Sequence, residues 1–106
     1  MRPSTLSDIE IQRELNTLAG WSRKGEAIVK TFEFPTFSHA IAWVNRVAEV
    51  ADASNHHPDL DIRFRNVAVS LSTHESGGVT ARDFTLARAM DTMTGPAEPE
   101  GPDRGA

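Results

Sequence analysis

Residues 55–83 read NHHPDLDIRFRNVAVSLSTHESGGVTARD, and this stretch decides the fold. Val67, Val69 and Leu71 alternate with Ala68, Ser70 and Ser72, the period-two pattern of a strand with one covered face. A shorter run over residues 61–64 precedes it, and Arg65-Asn66 between the two predicts a hairpin turn, although the favoured Asn-Gly pair is missing. Gly77 and Gly78 mark a loop. Thr80 and Asp83 then have the spacing of a capping box, opening a helix whose apolar side is Phe84, Leu86, Ala87, Met90 and Met93.

Upstream, the same two kinds of element recur. Ser7 and Glu10 have capping-box spacing, Ile11, Leu15 and Leu18 recur at helical intervals, and Gly20 stands where a C-terminal cap is expected. From Trp21 the pattern changes to a short strand, a turn at Gly25, and a second strand over residues 27–34 ended by Pro35. Ile28, Lys30, Phe32 and Phe34 share one parity there, and Lys30 weakens the alternation. Thr36 or Ser38 can cap the next helix, residues 37–53, with Phe37, Ile41, Val44, Val47 and Ala48 on one stripe widened by Ala40, Trp43 and Val50. The order is helix, two strands, helix, two strands, helix. Hairpins separated by helices imply an α+β layer: a four-stranded antiparallel sheet with three helices packed on one face. The sheet's other face is then open to solvent or to self-association.

A chain of 106 residues, 39% hydrophobic and 25% charged, is sized for one domain, here residues 1–94. Residues 95–106, rich in Pro, Gly and acid, have no apolar anchor and are expected to be disordered. Residues 1–7 lack an apolar signal region and no run approaches a membrane span, so a cytoplasmic location without membrane contact is the expectation. With no cysteine, disulfides, thiolate metal sites and thiol nucleophiles are excluded. A net charge of -4 argues against a nucleic-acid partner, since phosphate binding needs clustered cations. The nearest basic feature, Arg63 and Arg65 around Phe64, reads as a solvated strand face.

Chemistry concentrates in the opening stretch, which holds three of the four histidines. Imidazole, with an unperturbed pKa of about 6.5, both gives and takes protons near neutrality. Pro58 disfavours the helical conformation for His57, so His56 and His57 sit in extended backbone and point to opposite sides. His74 follows the strand end, and the glycines let the chain reverse toward Asp83 in the first turn of the last helix. A carboxylate there can hold an imidazole in one tautomer, and its second oxygen still serves the cap. The alternative is a metal site completed by Asp59, Asp61 or Asp83. Adjacent histidines rarely ligate one ion, and HxxxH and HxH spacings are absent, so no metal ligand is expected. His39, at the far end of the second helix, reads as a surface residue.

The joint spacing of HHP, THE, GG and the following Asp, with Gly20-Trp21 and the second helix, resembles the pterin-4a-carbinolamine dehydratase family over residues 5–93. That resemblance implies the α+β fold just described and dehydration of 4a-hydroxytetrahydrobiopterin, or a related 4a-carbinolamine pterin, to quinonoid dihydropterin. It implies histidine acid/base catalysis without metal or redox cofactor, the pterin being the substrate. It places His56, His57 and His74 around the pterin, His57 and His74 as candidate proton donor and acceptor, with Asp83 supporting them. Ser72, Thr73, Pro58 and Asp52 are the implied substrate-binding residues, Ser72 and Thr73 through backbone. Two departures bear on pocket shape: Asp59-Leu60 stands where many members have an acid followed by Trp, and Asp52 stands where a glutamate is common. A homo-oligomer, dimer or tetramer, is implied as well. The competing class is a dehydratase-like binding or assembly protein that stabilises a partner complex, and a third is a metal-dependent hydrolase.

Overall fold

The computed structural model describes residues 4–94, so the expectation for residues 95–106 lies outside the described part. The elements are α1 (Asp8–Leu15), β1 (Ser22–Lys24), β2 (Ala27–Glu33), α2 (Phe37–Ser54), β3 (Asp59–Arg63), β4 (Asn66–Leu71), a single 3-10 turn (His74–Ser76) and α3 (Ala81–Thr92). The four strands form one antiparallel sheet in the order β1-β2-β4-β3, as the alternation of hairpins and helices implies. Ile28, Phe32, Val67, Val69 and Leu71 turn to the covered face, where they meet Ile11, Trp43, Val47, Phe84 and Met90 from the helices in one buried core. Among the described residues no helix is long and apolar enough to cross a membrane.

Both expected capping boxes form. Ser7 Oγ accepts from the Glu10 N–H while Glu10 Oε1 accepts from the Ser7 N–H at 2.8 Å. That backbone bond, with a further one from the Ser7 side chain, holds the Glu10 carboxyl below its ordinary pKa. A depressed folded pKa means the ionised form stabilises α1 above the unfolded value of about 4.3, and that contribution disappears as pH falls through the folded value. Glu10→Gln is therefore expected to lower the melting temperature at pH 7 and to melt with the parent at pH 3, measured by circular dichroism.

Three local expectations shift. Helix α1 stops at Leu15 with Asn16 as its cap, because Thr17 Oγ1 bonds back to the Glu14 carbonyl and Thr17 N–H and Leu18 N–H make short turns. Gly20 is not its cap but takes φ 88° just before Trp21. The β3-β4 turn is Phe64-Arg65 rather than Arg65-Asn66: Arg63 pairs with Asn66, and Phe64, at φ 55°, is 71% exposed. On α2 the buried stripe is Ala40, Trp43, Val47 and Ala51; Phe37 is 50% exposed, Ala48 exposed, and Ile41 and Val44 half-buried. The indole decides the rotation of the helix. Trp43 lies 4.5 Å from Phe32 and 5.2 Å from Phe34 between ring centroids, and burying so large a side chain contributes about 3 kcal/mol.

Lys30 keeps core parity for a specific reason. Its ammonium donates to Asp91 Oδ1 at 2.9 Å and to the Ala19 carbonyl at 3.1 Å, passing over Phe32, and Asp91 also accepts from Trp21 Nε1. The lysine thus ties α3 to β2 and to the Gly20-Trp21 turn.

Candidate active site

The histidine-bearing loops are built by two chain reversals. Helix α2 ends at Asn55, whose left-handed backbone (φ 52°, ψ 42°) suits asparagine better than most side chains. The His56 N–H returns to the Ala51 carbonyl at 3.1 Å, which fixes where the His-His-Pro segment leaves the helix. On the other side, β4 runs into Thr73, and a 3-10 turn carries His74 and closes at Gly77, φ 78°. Thr73 and Gly78 pair across the base of that turn.

His56 is the inward member of the histidine pair, only 7% exposed, and its Nε2 lies 2.6 Å from Asp83 Oδ1. Asp83 is completely buried at the third position of α3. Its other oxygen, Oδ2, accepts from the Thr80 N–H and the Thr73 hydroxyl, both at 2.9 Å. The carboxylate therefore caps the helix and holds an imidazole at once, and the imidazole is His56 rather than His74. A carboxylate only accepts, so Nε2 is the nitrogen that donates to it.

His57 points outward, as the extended backbone before Pro58 dictates, with Nε2 3.0 Å from Asp52 Oδ1. His74 is exposed at the start of the 3-10 turn. Pro58 and Ser72 are half-buried, Asp52 is exposed, and Thr73 is fully buried. The structure thus brings His56, Asp83 and Thr73 into one hydrogen-bonded group, pairs His57 with Asp52, and presents His57 and His74 to solvent. Among the described residues no three His, Asp or Glu side chains are placed to hold a metal ion.

One residue of this region escaped the sequence reading. Arg82 donates from Nη2 to the Asn55 carbonyl at 2.8 Å and from Nη1 to Glu75 at 3.3 Å, strapping the His-His-Pro loop to the turn that bears His74. The available signal was a misfit: a cation in the first turn of a helix, beside Asp83, opposes the helix dipole unless something else holds it.

Two cavities among the described residues bear on the site. The larger, about 680 Å³, lies on the open sheet face between Lys24 and the Asp59-Asp61 edge and includes no histidine. The smaller, about 300 Å³, lies between α2 and α3, with His56, Ser54 and Arg82 among apolar walls that include Val50 and Leu86. The smaller one carries His56 alone of the three site histidines; neither His57 nor His74, nor Ser72, Pro58 or Asp52, lines it.

The family model for pterin 4 alpha carbinolamine dehydratase matches residues 4–93. A Roseiflexus castenholzii protein with the provisional name pterin-4-alpha-carbinolamine dehydratase is 54% identical over 88 residues, 83% of this chain and 95% of the relative. A Nocardia farcinica protein of the same provisional name is 47% identical over 88% of this chain and 98% of its own length. Among solved structures, a transcriptional coactivator/pterin dehydratase from Brucella melitensis superposes with a TM-score of 0.84 at 34% identity, over 87% of this chain and 100% of that one. A pterin dehydratase-like protein identified as a RuBisCO assembly factor in the alpha-carboxysome shares the fold, with a TM-score of 0.59 at 18% identity over 71% of this chain and 87% of that one. With the family match running from before α1 to the end of α3, and relatives matched over nearly their whole length, the chain belongs to the pterin-4-alpha-carbinolamine dehydratase family.

Proposed function

We propose that the protein dehydrates 4a-hydroxytetrahydrobiopterin, or a related 4a-carbinolamine pterin, to the quinonoid dihydropterin. The reaction breaks the C4a–O bond, forms a C4a=N5 double bond and releases water. One group must protonate the departing hydroxyl and another must take the N5 proton. Neither step needs a metal or a redox cofactor. His57 and His74 are the proton donor and acceptor in this reading, in either order, and His56 binds the pterin or serves as a second acid/base through Nδ1.

The observation that supports the reading most is the buried His56–Asp83 pair at 2.6 Å, within a chain that also presents His57 and His74 outside it. An isolated buried carboxylate is costly, and a helix cap alone is served by an exposed one. Ser72, Pro58 and Asp52 are assigned to pterin binding; Thr73, grouped with them by the resemblance, is wholly buried and its N–H and carbonyl are taken up by bonds to Gly78, Ser76 and Gly77. A cytoplasmic location and a dimer or tetramer belong to the same reading, and exposed Phe37 beside the half-buried Ile41 of α2 gives self-association a surface.

The competing reading is an assembly protein. It draws on two solved relatives, described as a coactivator/dehydratase and as a RuBisCO assembly factor. A scaffold has no physical need for a hydrogen-bonded imidazole-carboxylate pair beside two exposed histidines, which favours the enzyme. Purified protein is expected to accelerate decay of the 4a-carbinolamine equally with and without a metal chelator, followed by ultraviolet absorbance. Activity abolished by the chelator and recovered with zinc would replace the acid/base reading with the metal-dependent one.

A further inference from the structure

We infer that Arg82 is a positioning residue: its guanidinium holds the His-His-Pro loop and the turn bearing His74 in one relative placement, and so sets the spacing of the two exposed histidines. The consequence for turnover rests on the dehydratase reading. The bond from His56 to Asp83 fixes the inward imidazole, and the sheet fixes the far end of the loop, where Asp59 pairs with Ser70. Between those anchors the chain leaves α2 through the left-handed Asn55, whose carbonyl lies beyond the helix's own hydrogen bonding. Arg82 Nη2 donates to that carbonyl at 2.8 Å, while Nη1 donates to Glu75 at 3.3 Å.

The two bonds reach the two loops close to their chemistry. His57 is the second residue after the bonded Asn55 carbonyl, and His74 immediately precedes Glu75, so slack in either arm passes to an acid/base group. The first turn of α3 thus fastens the His-His-Pro loop twice, by the His56 ring through Asp83 and by the backbone before it through Arg82. A cation there opposes the dipole of α3, but this one sits at the C-terminus of α2, where the carbonyl ends favour positive charge. Arginine also suits the task because its rigid fork serves two acceptors, whereas lysine offers one compact charge. A part-exposed Arg–Glu contact adds little to stability, so the strap acts on placement rather than on the fold.

Arg82→Gln is expected to lower kcat about tenfold with KM changed less than about twofold, the size of effect that follows from misplacing reacting groups slightly. Glu75→Ala cuts only the second arm and, at an exposed position, keeps the test open even where Arg82→Gln does not fold. It is expected to lower kcat about threefold, and to add nothing further in the Arg82→Gln background, because members of one network are not additive. Glu75→Gln, whose amide oxygen still accepts, is expected to keep kcat within about twofold of the parent. Amide hydrogen exchange reads the strap without turnover. The His56 N–H, held by the Ala51 carbonyl, and the Ser76 N–H, held by the Thr73 carbonyl, are expected to exchange about tenfold faster in Arg82→Gln, with the amides of β4 unchanged. A raised KM at parental kcat would make Arg82 a substrate contact, and losses that multiply in the double variant would make the two residues independent; either overturns the proposal. A lower melting temperature with parental kcat and parental exchange would reduce Arg82 to a cap of α2 and overturn it as well. A parent without dehydratase activity, in which Arg82→Gln still speeds exchange in both loops, would instead reject the proposed reaction and leave the strap standing.

Discussion

Asp83→Ala is expected to abolish most of the dehydratase activity, by at least about a hundredfold in kcat, and to destabilise the fold by about 3 kcal/mol. Both effects follow from one pair of oxygens. The substitution strands three donors: His56 Nε2–H, the Thr73 hydroxyl and the Thr80 N–H. A buried group left without its partner costs about 1–3 kcal/mol, and the capping interaction is lost with it. Asp83→Asn separates the two consequences. The amide oxygen can still accept from Thr73 and the Thr80 N–H, which keeps the cap, but the NH2 group then faces His56 Nε2. The imidazole must turn that nitrogen into an acceptor, placing its proton on Nδ1. Activity is therefore expected to fall about as far as in Asp83→Ala while the melting temperature falls much less. Kinetics together with denaturant melts check this, and an Asp83→Asn variant with parental kcat would show that the tautomer of His56 is irrelevant to the reaction.

His74→Ala is the second large effect, with the opposite signature. The side chain stands exposed at the first position of the 3-10 turn, and the turn is held by the main chain of Thr73, Gly77 and Gly78 rather than by the imidazole. Stability is expected to change by less than about 0.5 kcal/mol, as for other exposed positions. The rate is expected to fall about a hundredfold to a thousandfold, the usual contribution of a positioned acid or base. Small molecules with the right pKa offer a further check: added imidazole is expected to recover part of the lost rate in His74→Ala and none in Asp83→Ala. Equal loss of stability and rate in His74→Ala would mean that the histidine is part of the fold instead.

Local signals carried most of the fold. Both capping boxes, the Gly25 turn, the alternation through β4 and the apolar side of α3 depend on residues within a few positions of one another, and each forms as the sequence implies. Rotation of α2 was not legible in the same way. The stripe Phe37, Ile41, Val44, Val47 and Ala48 overlaps at Val47 with a second one of Ala40, Trp43, Val47 and Ala51, and periodicity gives no reason to bury the second. Contact of Trp43 with Phe32 and Phe34, residues on another element, settles it. The hairpin turn also moved by one residue, because Phe64 accepts a positive φ that its side chain does not advertise.

The site shows the same division. Asp83 was visible as both a cap and a carboxylate for a histidine, since those roles follow from its place in T-x-x-D. Which histidine it meets was not, because His56 and His57 are chemically identical and differ only in the direction the backbone turns them after Asn55. Burial of Thr73, and with it the line of hydroxyls from Thr80 to Asp83, depends on how the end of β4 docks against α3. Such docking leaves no periodic trace in the chain.

The most direct test is the decay of 4a-hydroxytetrahydropterin, followed by stopped-flow absorbance, in the presence of the parent protein and of a His57→Ala/His74→Ala double variant. The parent is expected to speed formation of quinonoid dihydropterin well above the buffer rate, and the double variant, folded and still carrying the His56–Asp83 pair, is expected to return it close to that rate. A parent that leaves the decay at the buffer rate, or a double variant as fast as the parent, would contradict the assignment of dehydration to these histidines.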